Sequence, residues 1–150
     1  MGAIILRFAT LILSGLLAGA MFAILAVFHT AKLSFASYLE QHQNLIRAFN
    51  VVMPLLGLGV IIFTLGSAFI QRGNKIVLMS LLAAAILLLI SGLITRFGNQ
   101  PINSIVMTWS DGVVPKDWTV FRDRWMTLHV VRTFMSFLAF CIIVWVNLKR

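Results

Sequence analysis

The sequence predicts an all-α fold, a four-helix transmembrane bundle with a short interfacial helix between its third and fourth helices. The chain has 150 residues, of which 61% are hydrophobic and 11% charged, and its mean hydropathy is +1.01. A soluble domain of this length does not need so much apolar surface, so the composition indicates that the solvent is lipid. The apolar residues also fall into four runs, each close to the roughly 20 residues that cross a bilayer. We therefore expect a single integral membrane domain over residues 1–150.

The predicted spans cover residues 8–28, 51–70, 76–94 and 126–146. The first follows a start that resembles a signal peptide, but it is too long for the apolar part of one, so we expect a retained helix. In the second, Pro54 lies in the first turn, where a missing N–H is tolerated. The second and third are separated only by a tight polar turn over residues 71–75, which makes them antiparallel neighbours.

Two longer connections, residues 29–50 and 95–125, lie at the other end of the predicted bundle. The first has a helical periodicity that runs straight into the second span. In the second connection, Gly98 is expected to break the third helix, and residues 102–109 are expected to form the interfacial helix. A glycine and a proline then precede the fourth helix, which is predicted to start near Lys116.

Charge predicts the orientation. The side that holds both termini and the short turn carries basic residues and no acidic ones: Arg7, Arg72, Lys75, Lys149 and Arg150. The positive-inside rule places this side in the cytoplasm, so we expect a plasma (inner) membrane protein with both termini cytoplasmic. The net charge of +8 is spread over loops and helix ends, which is typical of cations at lipid headgroups and argues against nucleic acid as a partner. The sequence is compatible with a homo-oligomer as well as with a monomer.

A stripe of polar and aromatic residues follows one face of the fourth helix. Its members are spaced by four, three, four and three residues: Trp118, Arg122, Trp125, His129 and Arg132. Arg132 lies about 10 Å below Trp125 at 1.5 Å per residue, well inside the fourth span. Ionisable groups at that depth are costly and indicate a functional site. The alternative for Arg132 is snorkelling, with its stem in lipid and its head among the headgroups.

A second polar face precedes the second span and lies at the same side of the membrane. It comprises Glu40, Gln43, Arg47 and Asn50. Glu40, the only glutamate, is a candidate partner for Arg47, Arg122 or Arg132. The alternative is a solvated amphipathic helix, and for Gln41 and His42 this alternative is favoured.

Asn99 and Asn103, four residues apart after the third span, line the same pocket or serve as ordinary cap and turn residues. We thus predict one polar pocket at the non-cytoplasmic end, with His129 and Arg132 as catalytic residues. The predicted substrate-binding residues are Gln43, Arg47, Asn50, Asn99, Asn103, Trp118, Arg122 and Trp125.

These residue types suggest proton transfer next to a cation. A histidine titrates near neutrality and can act as a general base, and an arginine can stabilise an oxyanion or enolate. His29, His42 and His129 have no spacing typical of a metal site, so no metal is expected; His42 and His129 as a haem b pair remain an alternative. Cys141 cannot form an intramolecular disulfide and is interpreted as a buried inert thiol.

Three stretches together resemble a known family. They are residues 43–50, residues 99–103, and the segment from Trp118 through Arg-x-Arg-Trp at 122–125 to His129 and Arg132. This combination resembles the anthrone-oxygenase-like family of small four-helix integral membrane proteins, long catalogued as a domain of unknown function. The resemblance implies oxygenation of an electron-rich polycyclic phenol, the chemistry of fungal members, without a metal or organic cofactor. The positions that match are Asn99, Asn103, Trp125, His129 and Arg132.

The resulting hypothesis is a membrane oxidoreductase, a cofactor-independent monooxygenase that acts on a hydrophobic phenolic or quinone-like molecule entering from the bilayer. His129 would remove a proton next to a carbonyl, Arg132 would hold the anion, and O2 would meet it in a water-poor pocket. One alternative is a haem-binding or electron-transfer protein. Another is a non-enzymatic accessory subunit, in which the residues of the stripe contact another chain.

Overall fold

The computed structural model describes residues 1–28 and 30–148, and these form helices and turns without a strand. The helices are α1 (Gly2–Val27), α2 (Phe35–Phe49), α3 (Val52–Ile70), α4 (Lys75–Ile94), α5 (Gln100–Val106) and α6 (Trp118–Leu148). A 3₁₀ turn, Thr30–Lys32, precedes α2, and a π-helical turn, Thr95–Asn99, joins α4 to α5.

Four of these units are long and apolar enough to cross a membrane: α1, α3, the continuous α4–α5 unit and α6. They pack in a ring in the order α1, α3, α4, α6, so helices that follow each other in this order are antiparallel neighbours. The predicted helical bundle is confirmed. The α6 helix begins at Trp118, two residues after the predicted start near Lys116. Its first two turns, before residue 126, precede the predicted apolar span. Cys141 is exposed on the outer surface of α6, so its interpretation as a buried thiol was wrong.

The two ends of the chain lie at the same end of the bundle, as four spans require. Arg7 Nε donates a hydrogen bond to Asn147 Oδ1 at 2.7 Å. Near this end, one pair of hydroxyl groups joins neighbouring helices, with the side-chain oxygens of Thr10 and Ser67 3.0 Å apart. Such small polar residues let membrane helices approach closely and share hydrogen bonds.

The helix does not break at Gly98, and that prediction was wrong. The chain widens into a π turn over Thr95–Asn99 and continues as α5, with Pro101 in the first turn of α5, where an N–H is not needed. A Cβ atom on Gly98 would lie 2.9 Å from Leu128 Cδ1, so this glycine permits close packing of α6. The turn directs Asn99, which is 1% exposed, towards α6.

The α2 helix also departs from the prediction, because it does not run straight into α3. It ends at Phe49 and α3 begins at Val52. Pro54 has no N–H to donate to the carbonyl of Asn50, which accounts for the interruption. The face of α2 that packs into the bundle is apolar and aromatic with one histidine: Phe35, Tyr38, Leu39, His42 and Ile46.

Candidate functional site

A cavity of about 470 Å³ lies at the interface of α3 and α4. Its walls are mostly apolar towards the middle of the bundle and become polar towards α2 and α5. The apolar part is formed by Leu17, Met21, Met53, Pro54, Leu58, Ile61 and Leu88, and the polar part by Asn50, Ser91, Thr95, Arg96, Gln100 and Arg132. This gradient suits a molecule with an apolar body and one polar end.

Two glycines create part of this space. Gly57 of α3 and Gly92 of α4 both lie in the wall of the cavity. A Cβ atom added to either glycine would meet nothing within 4 Å, so each position faces open space. Side chains at these two positions would occupy the cavity rather than pack against the protein.

Arg132 stands at the polar end of the cavity. Its Nε and Nη2 lie 3.2 and 2.9 Å from His129 Nδ1, and its Nη1 donates to Thr95 Oγ1 at 3.1 Å. A guanidinium has five N–H donors, so these contacts leave one N–H on each terminal nitrogen for a ligand. Within residues 1–28 and 30–148 the ion pair present is Arg122 with Asp123, so Arg132 has no carboxylate partner there. Glu40 is exposed and does not supply one.

His129 lies behind Arg132 and is 0% exposed. Because a guanidinium only donates, His129 Nδ1 must be the accepting nitrogen. The hydrogen is therefore on Nε2, which donates to the carbonyl oxygen of Met21 at 3.2 Å. Both ring nitrogens are engaged and the imidazole is neutral in this arrangement.

His42 belongs to the same buried network, so its interpretation as a solvated residue was wrong. It is 0% exposed. The Trp125 indole N–H donates to Asn103 Oδ1 at 2.8 Å, and His42 Nε2 lies 3.3 Å from the same oxygen, so this nitrogen must also donate. His42 Nδ1 is then free to accept from the Tyr38 hydroxyl at 2.7 Å.

The titration of this pair agrees with that assignment. Burial lowers the pKa of His42 to about 4, and the nearby Arg132 charge acts in the same direction. Burial also raises the pKa of the Tyr38 hydroxyl above its ordinary range. Both side chains are therefore neutral near pH 7, with the tyrosine as donor and the histidine as acceptor.

The rings of this network do not fit a haem held by two histidines. The Trp125 ring packs against both imidazoles, with its centroid 4.6 Å from that of His42 and 5.0 Å from that of His129. All four imidazole nitrogens already have hydrogen-bond partners, so none is directed at an iron. The described residues contain no cluster of three or more metal-ligating side chains, and His29 lies outside them.

A smaller hollow of about 50 Å³ adjoins the cavity and extends towards the network. The two share Arg132 and several residues around it, and the hollow adds His42, Asn103 and Trp125 to the wall. We call this hollow the annex. The site therefore consists of a large amphipathic cavity and the small annex, and Arg132 lies in the walls of both.

Four of the eight predicted substrate-binding residues line this site or contact a residue that does. Asn50 lines the cavity, as does the predicted catalytic residue Arg132, and Asn103 and Trp125 line the smaller hollow. Asn99 Nδ2 donates to the carbonyl of Trp125 at 3.1 Å, which ties the π turn to α6, while its buried Oδ1 has no partner.

The other four lie elsewhere. Gln43 Nε2 donates to the carbonyls of Val106 and Trp109, closing the end of α5, and Arg47 is exposed beside Gln43 and Asn44. Further along α6, Arg122 pairs with Asp123 at 2.7 Å and its guanidinium lies 5.1 Å from the Trp118 ring. Trp118 packs against Phe35 and Tyr38. These four side chains shape the end of the bundle and do not reach the cavity.

Comparison with known proteins identifies the family. A family model described as anthrone oxygenase matches residues 42–142, about two thirds of the chain. The chain belongs to the anthrone oxygenase family. The match begins at His42 and includes Asn103, Trp125, His129 and Arg132, so the resemblance inferred from the sequence motifs is confirmed. No curated protein and no solved structure matches the chain.

Proposed function

We propose that this member of the anthrone oxygenase family is a membrane-embedded, cofactor-independent monooxygenase that oxidises a hydrophobic phenolic or anthrone-like molecule. The observation that carries the proposal is Arg132, a guanidinium without a carboxylate partner among the described residues, placed at the polar end of an apolar cavity. A cation held below a bilayer surface without a counter-ion calls for an anionic ligand.

An ionised phenol or enolate with fused rings has the matching shape. Its rings would bury apolar surface against Met21, Met53 and Leu88, and its charged oxygen would accept the two spare N–H groups of Arg132. The low dielectric of the bundle strengthens this contact relative to water. Binding would therefore favour the deprotonated form of the substrate, which is the form that reacts with O2.

The chemistry needs no external reductant. A methylene group between the rings reacts with one O2 to give a ketone and one water, so one oxygen atom enters the product and the other leaves as water. The substrate supplies four electrons and O2 accepts four. His129 Nδ1 is the base nearest to Arg132, and it becomes free to take the proton when the guanidinium turns to the substrate oxygen. The proton returns to the peroxide oxygen before water departs.

The alternatives receive less support from the geometry. A haem or electron-transfer role requires histidine nitrogens that are already engaged. An accessory subunit would use the residues of the stripe to contact another chain, but Trp125 and His129 are 4% and 0% exposed within this chain alone. An internal small-molecule site agrees better with this burial.

The proposed location is the inner membrane with both termini in the cytoplasm. The end of the bundle that carries the termini holds Arg7 and Arg72, and the cavity becomes polar towards the opposite end. The substrate would enter from the bilayer between α3 and α4, where the cavity lies.

Oxygen uptake by the purified protein in nanodiscs tests the function. With a dihydroxyanthrone, we expect consumption of one O2 per quinone formed, without release of hydrogen peroxide, above the autoxidation measured with empty nanodiscs. An absorption spectrum of the same sample tests the haem alternative. Uptake no faster than in empty nanodiscs would contradict the proposal.

A further inference from the structure

The annex beside Arg132 has the size of a site for a small gas molecule. Its volume of about 50 Å³ exceeds the roughly 10–15 Å³ of probe-occupied space that one water needs, but is well below an engineered cavity of about 150 Å³ that holds benzene. A substrate ring that fills the main cavity would therefore not enter the annex, which stays open to a second, smaller reactant.

Once the substrate is bound, several polar groups in the wall of the annex are no longer available to a water molecule. The apolar part of the wall includes Ile24, Leu45 and Ile46, and the substrate anion takes the two spare N–H groups of Arg132. Both nitrogens of His42 have partners, and the Trp125 N–H donates to Asn103. A buried water needs two to four polar partners, whereas an apolar molecule needs none.

We propose that the annex is the O2-binding site of the enzyme and that Arg132 is the point of contact between O2 and the organic substrate. This inference rests on the proposed function. Arg132 belongs to the walls of both spaces, so a substrate anion bound to its guanidinium lies next to any molecule in the annex.

The position also suits the first step that involves O2, which follows removal of the proton. The substrate carbanion transfers one electron to O2, which gives a substrate radical and superoxide. The two combine to form a carbon–oxygen bond, the resulting peroxide accepts the proton removed earlier, and loss of the second C–H proton with hydroxide gives the ketone and water. The positive charge of Arg132 stabilises superoxide as it forms.

Filling the annex tests the proposal. Ile46→Phe places a larger side chain in its wall, and Leu45→Phe does so from a half-buried position if the first variant does not fold. We expect the KM for O2 to rise at least fivefold, while the KM for the anthrone stays within twofold. Ile105→Phe, the same exchange outside both walls, is the control and should change neither constant.

Xenon provides a readout that does not depend on activity. In a structure determined under xenon pressure, we expect a xenon atom in the annex of the wild type and none in Ile46→Phe. An ordered water bonded to His42 or Asn103, or an unchanged KM for O2 in both filled variants, would overturn the proposal. If xenon binds but the wild type shows no anthrone-dependent O2 uptake, the proposed function itself fails, and the role of the annex in O2 binding fails with it.

Discussion

Replacing Arg132 with methionine distinguishes between two roles of this side chain, binding a ligand and stabilising the fold. The substitution removes the charge at the end of the cavity and keeps a long apolar side chain. If Arg132 binds the substrate anion, affinity must fall. If instead it holds the bundle together, stability must fall.

The structure gives the size of both effects. Losing hydrogen bonds to a charged oxygen costs about 1.5–3 kcal/mol, which corresponds to roughly 10- to 150-fold weaker binding. Stability changes little, because the variant leaves His129 Nδ1 without its donor, at about 1–3 kcal/mol, but also removes a half-buried charge without a carboxylate partner, which offsets that loss. We therefore expect a melting temperature within a few degrees of the wild type.

The assay is binding of a dihydroxyanthrone to the protein in nanodiscs under argon, with a thermal melt of the same samples. Arg122→Met is the matched control, since Arg122 lies on the same helix, already pairs with Asp123 and does not line the cavity. It should bind as the wild type does. Wild-type affinity in Arg132→Met would refute the reasoning. So would a large fall in its melting temperature, if the loss of binding is no greater than the fraction of unfolded protein explains.

Three further results are expected. Gly57→Leu should fill the cavity and abolish anthrone binding without lowering the melting temperature, whereas Gly59→Leu, which also faces open space but lies outside the cavity wall, should bind normally. Burial lowers the pKa of His42 from 6.5 to about 4, so neutral His42 stabilises the fold fully above pH 6.5, and this stabilisation is lost as the pH falls towards 4. The difference in melting temperature between the wild type and His42→Phe should therefore become smaller over that pH range, and a constant difference would contradict the assignment. In a Cys141→Ser background, Gly73→Cys should react with a membrane-impermeant thiol reagent only from the cytoplasmic side, and labelling of intact cells from outside would reverse the orientation.

Periodicity and hydropathy were sufficient to predict the bundle, because lipid requires long apolar helices that satisfy their own backbone. The same reasoning failed at Gly98. A glycine inside a helix is a break signal, but here the absence of a Cβ permits contact with Leu128 on another helix, and this packing depends on the tertiary structure.

The candidate site was predicted in part. Arg132 and Trp125 stood out because polar and aromatic residues shared one face of an apolar helix. Of the polar face predicted before the second span, Asn50 lines the cavity, whereas Glu40, Gln43 and Arg47 do not. The apolar spacing of Phe35, Tyr38, Leu39 and Ile46 was the signal that places His42 inside, and the burial of a histidine is understood only once Tyr38 and Asn103 are known to satisfy it.

A structure of the protein in nanodiscs with a bound dihydroxyanthrone tests the central claim most directly. We predict planar density between α3 and α4, with a ligand oxygen within about 3.2 Å of an Arg132 terminal nitrogen. A ligand bound elsewhere, with a lipid acyl chain in the cavity and Arg132 still bonded only to His129 and Thr95, would contradict it.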